Sequence, residues 1–213
     1  MSVAQATDRI DLVKHAFWLE WITIAWMTIE AIVASLSGFA AHSVTLLAFG
    51  LDSIIELVSA GVLIWRLTVE LKHGQHFSEE AEQRAGKIGS ILLFALATYV
   101  IISAGWGLWA RQGAEFSMPG LVVALAAIPI MYLLAKRKIA IAKKIGSRAL
   151  RADAAESITC GWLSVVVVAG LIAQFLTGAW WIDSVTSLGI VWFLVKEGRE
   201  AWASEACGCS SCR

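Results

Sequence analysis

The sequence has little charge for its length, and the charge that it has is balanced. Only 16% of the 213 residues are charged, whereas 58% are hydrophobic, a composition typical of helical membrane proteins rather than of soluble domains. Seventeen basic residues offset 17 acidic ones, so no basic excess favours a nucleic acid as partner. The composition therefore predicts an all-α membrane protein whose surroundings are the lipid bilayer.

Motifs for secretion and for hydrolysis are also missing. The first 16 residues contain four charged residues and no apolar core followed by a small-residue cleavage site, so we expect no removable signal peptide and a short cytosolic tail at residues 1–16. No HExxH or GxSxG pattern accompanies the acidic residues. A membrane metalloenzyme is therefore a distant alternative, and we expect a protein that is not an enzyme and needs no catalytic cofactor.

Apolar runs dominate the rest of the chain, and six of them approach the roughly 20 residues with which a helix crosses the hydrocarbon core. All but one of the 17 Lys and Arg residues fall on the same side of these runs, Arg111 being the exception. The positive-inside rule then places both termini in the cytosol. We expect a multi-pass protein of the cytoplasmic membrane, with a six-helix transmembrane domain at residues 17–204. The predicted spans are residues 17–37, 43–65, 88–110, 118–135, 149–177 and 180–203.

Two acidic residues lie inside the second predicted span. Asp52 and Glu56 stand four residues apart, so on a helix their side chains share one face. A carboxylate near the bilayer centre costs on the order of 3 kcal/mol or more unless it is protonated, paired or bound to a cation. The pair therefore predicts an ion site. The alternative is a pair of protonated acids that only join helices.

A second polar stripe lies in the fifth predicted span. Asp153, Glu156 and Cys160 follow an i, i+3, i+7 spacing, which lines them along one helical face. Because residues 149–177 exceed the length of the hydrocarbon core, the first turns are expected to extend into the cytosol, which places Cys160 nearest the midplane and Asp153 at the cytosolic mouth. As a lone thiol, Cys160 can also act as a small buried hydrophobic residue.

Three further acids occupy other positions along the spans. Glu30 lies inside the first span, and it is predicted to be an auxiliary ligand or a proton carrier, with a structural role as the alternative. Asp153 at the mouth can serve the same auxiliary purpose. Glu20 lies closer to the cytosolic edge and is expected to be solvated. Asp183 lies at the outer start of the sixth span, where capping of that helix is the simplest role.

Residues 205–213 form a predicted cytosolic tail that is rich in cysteine. Cys207, Cys209 and Cys212 form a C-x-C-x-x-C pattern in a compartment that keeps thiols reduced. Thiolates at this spacing can bind one soft ion, for delivery to the membrane site or for sensing. A disordered, acylated or redox-active tail is the alternative.

Three segments resemble the cation diffusion facilitator family: SVTLLAFGLDSIIE in the second span, SRALRADAAESITCGWLS in the fifth and WWIDSVTSLGI at the start of the sixth. Members carry two metal ligands four residues apart on the second and fifth helices, commonly Asp or His. The resemblance implies a homodimeric six-helix cation transporter, here similar to a short form without the usual cytosolic domain. The ligands that it implies are Asp52, Glu56, Glu156 and Cys160.

The donor atoms of that set indicate which cargo to expect. Three carboxylates and one thiolate suit a four-coordinate ion such as zinc, with cadmium next, whereas Mg²⁺ and Ca²⁺ prefer oxygen alone. Without a cation four anionic groups would repel one another, so the site should bind protons and release them when metal enters. We therefore expect divalent transition-metal efflux by metal/proton antiport. The alternative is a membrane metal sensor or regulatory partner that moves no ion.

Overall fold

The protein is a bundle of long α-helices. The computed structural model describes residues 3–73, 79–145 and 147–206, and this part of the chain contains six helices. They are α1 (Val3–Ala40), α2 (Val44–His73), α3 (Glu79–Ala110), α4 (Met118–Ile145), α5 (Arg148–Thr177) and α6 (Ile182–Ala206).

Each helix corresponds to one predicted span, and several continue beyond it. Helix α1 is already helical at Val3, so most of the predicted N-terminal tail belongs to it. Helix α2 extends about two turns, and α4 nearly three, past the predicted ends. Among the described residues, α1 to α5 each contain a segment long and apolar enough to cross a membrane. The sixth helix contains Asp183 and four charged residues between positions 196 and 200, so the count of six spans stays a prediction.

Three of the helices begin at a serine that satisfies free backbone N–H groups of the first turn. Ser43, Ser117 and Ser147 each accept a hydrogen bond through the hydroxyl oxygen from the N–H three residues later, at 3.1, 3.2 and 3.3 Å. This is the usual geometry of an N-cap. Helix α5 ends at Gly178, whose φ of 62° lies in the left-handed region that glycine adopts without strain. These signals fix where the spans begin and end.

The helices pack in two groups. Helix α1 packs along α2 and α4, and α4 along α5, while α3 packs mainly along α6 and this pair contacts the others through α2 and α5. Fully buried apolar residues such as Phe49, Met131 and Leu163 fill the interior. Large apolar side chains cover the outside instead of polar ones: Phe39, Trp109 and Leu176 are 70%, 77% and 74% exposed. Such a surface is stable in lipid rather than in water.

Candidate metal site

Three buried carboxylates converge where α6 packs against α2. Asp52 and Glu56 extend from one face of α2, Glu197 extends from α6, and an oxygen atom of each lies within 4.8 Å of an oxygen of the other two. The three residues are 0%, 7% and 8% exposed. We call this group the carboxylate cluster. The separation of four residues that placed Asp52 and Glu56 on one helical face in the sequence is what brings them to the same point here.

Most oxygen atoms of the carboxylate cluster lack a hydrogen-bond partner within the described part of the chain. Both carboxylate oxygens of Asp52, both of Glu197 and Oε1 of Glu56 are buried and unpaired. A buried carboxylate without a partner is costly, and three close together also repel one another when ionised. The cluster is therefore suited to hold either protons or a cation with several open coordination positions.

A second polar group surrounds Glu30 on α1. Its Oε1 accepts hydrogen bonds from Ser53 Oγ at 2.7 Å and from Cys160 Sγ at 3.5 Å, and its Oε2 accepts one from Trp26 Nε1 at 2.9 Å. Glu30 is fully buried, but three donors compensate its carboxylate. Because Ser53 follows Asp52 directly on α2, this group adjoins the carboxylate cluster. In this conformation Cys160 interacts with Glu30.

Glu156 lies on α5 beside the middle of α2, where Ser59 Oγ donates to its Oε2 at 3.2 Å. Of the four ligands that the sequence predicted, the structure thus brings Asp52 and Glu56 to one point. Cys160 and Glu156 lie on the facing helix with other partners and outside the carboxylate cluster. The four-ligand set remains a prediction.

A buried ion cluster lies closer to the N-terminal ends of α1 and α5 than these groups do. Lys138 Nζ on α4 lies 3.2 Å from Glu20 Oε2 on α1 and 2.5 Å from Asp153 Oδ2 on α5. Glu20 and Lys138 are both fully buried. The expectation of a solvated Glu20 is wrong, because three helices close around it and Lys138 supplies its counter-ion. Asp153, predicted as an auxiliary metal or proton group, is paired with the same ammonium.

Asp183 caps a helix, but a neighbouring one. Its carboxylate accepts from Ser43 Oγ at 2.5 Å and from the Val44 N–H at 2.8 Å, and its carbonyl oxygen accepts from Thr45 Oγ1 at 2.8 Å. The capping of α6 predicted from the sequence is therefore replaced by capping of α2. The reason is that Asp183 is the second residue of α6 and extends sideways toward the start of α2. This network connects the N-terminal ends of α2 and α6.

The cysteines of the predicted tail, Cys207, Cys209 and Cys212, lie outside the described residues, so their metal binding remains a sequence-based prediction. The transmembrane unit itself can be compared with known proteins. The family model of the cation efflux transmembrane domain matches residues 21–204. This chain belongs to the cation efflux family. The resemblance found in the sequence is confirmed, and so is an all-α, multi-pass integral membrane protein.

Several curated proteins are similar to this chain over most of its length. The chain is 25% identical over 207 residues to the manganese efflux system protein MneS of Bacillus subtilis, covering 91% of this chain and 70% of that protein. It is 30% identical over 153 residues to the transporter sll1263 of Synechocystis sp., covering 70% and 49%, and 24% identical over 180 residues to transmembrane protein 163 of Xenopus laevis, covering 84% and 62%. The chain thus spans only part of the length of each relative.

The sequence of this cation efflux protein did not single out Glu197. It lies among charged residues near the C-terminal end of α6, in the run KEGRE, which is typical of a solvated helix end. A periodic signal was present: Ile190, Leu194 and Glu197 are spaced i, i+4, i+7 and are all buried. Glu197 therefore continues the interior face of α6. Only the packing of α6 on α2 reveals that this face meets Asp52 and Glu56.

Proposed function

We propose that this chain exports a divalent transition-metal ion from the cytosol through a site built on Asp52 and Glu56. Its membership of the cation efflux family supports metal transport in general. One observation carries the assignment of the site: three oxygen atoms of these two acids are buried and unpaired on a helix apolar enough to span a membrane. Such a group is suited to bind a cation and to hold protons when the cation is absent.

The alternative role for the two acids is structural, as protonated groups that hold helices together. A structural acid forms hydrogen bonds, because an unmade bond costs about 1–3 kcal/mol when the group is buried. Within the described part of the chain neither oxygen of Asp52 has a partner, whereas Asp183, which does join two helices, has a donor for each. The contrast supports a ligand role for Asp52.

We propose that export is coupled to protons by alternating access. Closely spaced carboxylates in a low-dielectric interior cannot all remain ionised without a cation, so the cluster binds protons when metal leaves. The arrival of metal expels those protons again. If metal is bound on the cytosolic side and released outside, protons return in the opposite direction. The expected result is acidification on the side from which metal enters.

Two sets of donor atoms compete for the identity of the metal. If Glu156 and Cys160 leave their present partners and join Asp52 and Glu56, the site gains a thiolate and suits zinc or cadmium. If the site uses oxygen alone, it suits a harder ion such as manganese(II), the ion in the name of MneS. Both sets contain the same two acids of α2.

Flux into proteoliposomes tests the proposal. Purified protein is reconstituted with a metal-sensitive dye and a pH dye inside, and manganese, zinc and cadmium are added outside. Asp52→Asn and Glu56→Gln should each lower flux by about tenfold or more, since each removes a ligand charge while preserving size. Asp11→Asn is the matched control, because its side chain is 67% exposed in the ion pair with Lys14.

Two outcomes would contradict the proposed function. If Asp52→Asn and Glu56→Gln both retain the flux of the wild-type protein, the metal site does not include these two residues. Tight metal binding in detergent without flux or a proton signal in liposomes would favour a membrane sensor over a transporter.

A further inference from the structure

We infer that Glu197 of α6 is a third ligand for the cargo and that it gives the site its preference for a hard divalent cation such as Mn²⁺. This inference rests on the proposed function, since it assumes that Asp52 and Glu56 hold the ion. The family match extends over most of α6, but the ligand pattern that the resemblance implies lies on the second and fifth helices and contains no residue of α6. The inference comes from the position of one side chain.

Glu197 lacks the hydrogen-bond donors and cations that compensate most other buried acids in the described part of the chain. Glu30 has three side-chain donors. The carboxylate of Asp183 has one side-chain donor and one backbone donor. Glu20 and Asp153 share the Lys138 ammonium. Glu197 is 8% exposed, and both its oxygens are unpaired. It shares this condition with the two acids that it meets, Asp52 and Glu56.

Lys196, the cation next to Glu197 in the sequence, is not its partner. Lys196 precedes Glu197 on α6, but its ammonium pairs with Glu200 at 3.8 Å and lies 5.6 Å from the centre of the Trp192 ring. The side chains of Lys196 and Glu200 are 48% and 64% exposed, on the face of α6 that points away from the bundle. Successive residues on a helix point about 100° apart, so Lys196 cannot face the cluster while it makes those contacts. Arg199, the other cation in the described part of α6, is exposed. Glu197 therefore faces the interior without a hydrogen-bonded cation from the described residues of its own helix.

The donor atoms of the carboxylate cluster favour Mn²⁺ over Zn²⁺. With Glu197 the cluster offers three carboxylates and therefore up to six oxygen atoms, while the sulfur of Cys160 is directed to Glu30. Manganese(II) prefers six oxygen ligands such as those of carboxylates, whereas zinc is usually four-coordinate and also binds sulfur. Loss of one carboxylate should thus weaken manganese binding more than zinc binding.

The carboxylate cluster has members in both groups of helices. Asp52 and Glu56 belong to α2, in the group with α1, α4 and α5, and Glu197 belongs to the α3–α6 pair. An ion held by all three residues therefore binds both groups at once. Its arrival draws α6 toward α2, and its departure leaves three carboxylates that repel one another. Glu197 would in this way couple the occupancy of the site to the packing of the α3–α6 pair.

The test compares metal affinities of the full chain with Glu197 altered. Binding of Mn²⁺ is measured by the loss of the free-ion signal in electron paramagnetic resonance, and binding of Zn²⁺ by competition with a dye. Glu197→Gln should lower Mn²⁺ affinity about tenfold or more and Zn²⁺ affinity by a clearly smaller factor. Glu197→Asp should restore part of the Mn²⁺ affinity. Glu200→Gln, three residues later on the exposed side, should leave both affinities unchanged.

Thermal unfolding without metal separates a ligand from a structural acid. Because Glu197→Gln removes a charge from the cluster, it should keep or raise the melting temperature of the metal-free protein, and it should reduce the increase that Mn²⁺ produces. A lower melting temperature without metal together with unchanged Mn²⁺ affinity would overturn the inference. So would an equal loss of Mn²⁺ and Zn²⁺ affinity. If Asp52→Asn still transports metal, the proposed function fails first, whatever Glu197→Gln does.

Discussion

At the scale of single residues, the sulfur of Cys160 decides how the site treats soft ions. Cys160 donates to Glu30 at 3.5 Å, and a serine hydroxyl can replace this hydrogen bond. If the thiolate joins the site, Cys160→Ser should weaken cadmium relative to manganese, because cadmium gains most from sulfur. Competition between the two ions for uptake measures the ratio. An unchanged ratio would show that Cys160 only packs against α1.

Single residues also show how far the sequence could predict this site. Asp52 and Glu56 were recognisable because they interrupt an apolar run at a helical spacing. Glu197 was not, because it lies among charged residues and acquires its burial from another helix. The same reason explains the error for Glu20, whose counter-ion Lys138 lies 118 residues away along the chain. Local patterns predict which face an acid occupies, but its partner depends on tertiary packing.

At the scale of helices, the buried ion cluster holds α1, α4 and α5 together. Removing Lys138 would leave Glu20 and Asp153 buried without a cation, and breaking such a pair typically costs about 3–5 kcal/mol. Lys138→Met should therefore lower the melting temperature strongly, as followed by tryptophan fluorescence. The control is Lys136→Met, because Lys136 is exposed on the same helix. Equal melting temperatures for the two variants would mean that the ion cluster does not stabilise the bundle.

The close approach of α1 and α2 depends on Gly50. A Cβ atom there would lie 2.7 Å from the backbone N of Ser35, so α1 would have to move away. Gly50→Ala should therefore lower both stability and flux, because Glu30 on α1 and Asp52 on α2 would separate. Gly61→Ala is the matched control on the same helix, since its Cβ would meet nothing within 4 Å, and it should be neutral or slightly stabilising. Wild-type behaviour of Gly50→Ala would indicate that the α1–α2 contact is not tight.

At the scale of the whole molecule, α6 has the length and the interior contacts of a membrane-spanning helix. Its charged residues make it less apolar than α1 to α5, but several of them do not meet lipid. Asp183 and Glu197 face the interior, and the segment between them contains a single charge, at Lys196. From Ile182 to Trp202 the helix rises about 30 Å, the thickness of the hydrocarbon core. The outer end of α6 is also tied to that of α2 through Asp183.

These features predict that α6 spans the bilayer, and the number of spans has a consequence that can be measured. With six spans both ends of the chain lie on the same side of the membrane, whereas with five they lie on opposite sides. The distribution of basic residues makes that common side the cytosol. Reporters that are active only in the cytosol, fused in turn to the N-terminus and the C-terminus, should both give signal. A reporter fused within the loop that contains Arg111, between α3 and α4, should be silent as the control. Signal from one terminus alone would place α6 outside the bilayer and remove Glu197 from any transmembrane site.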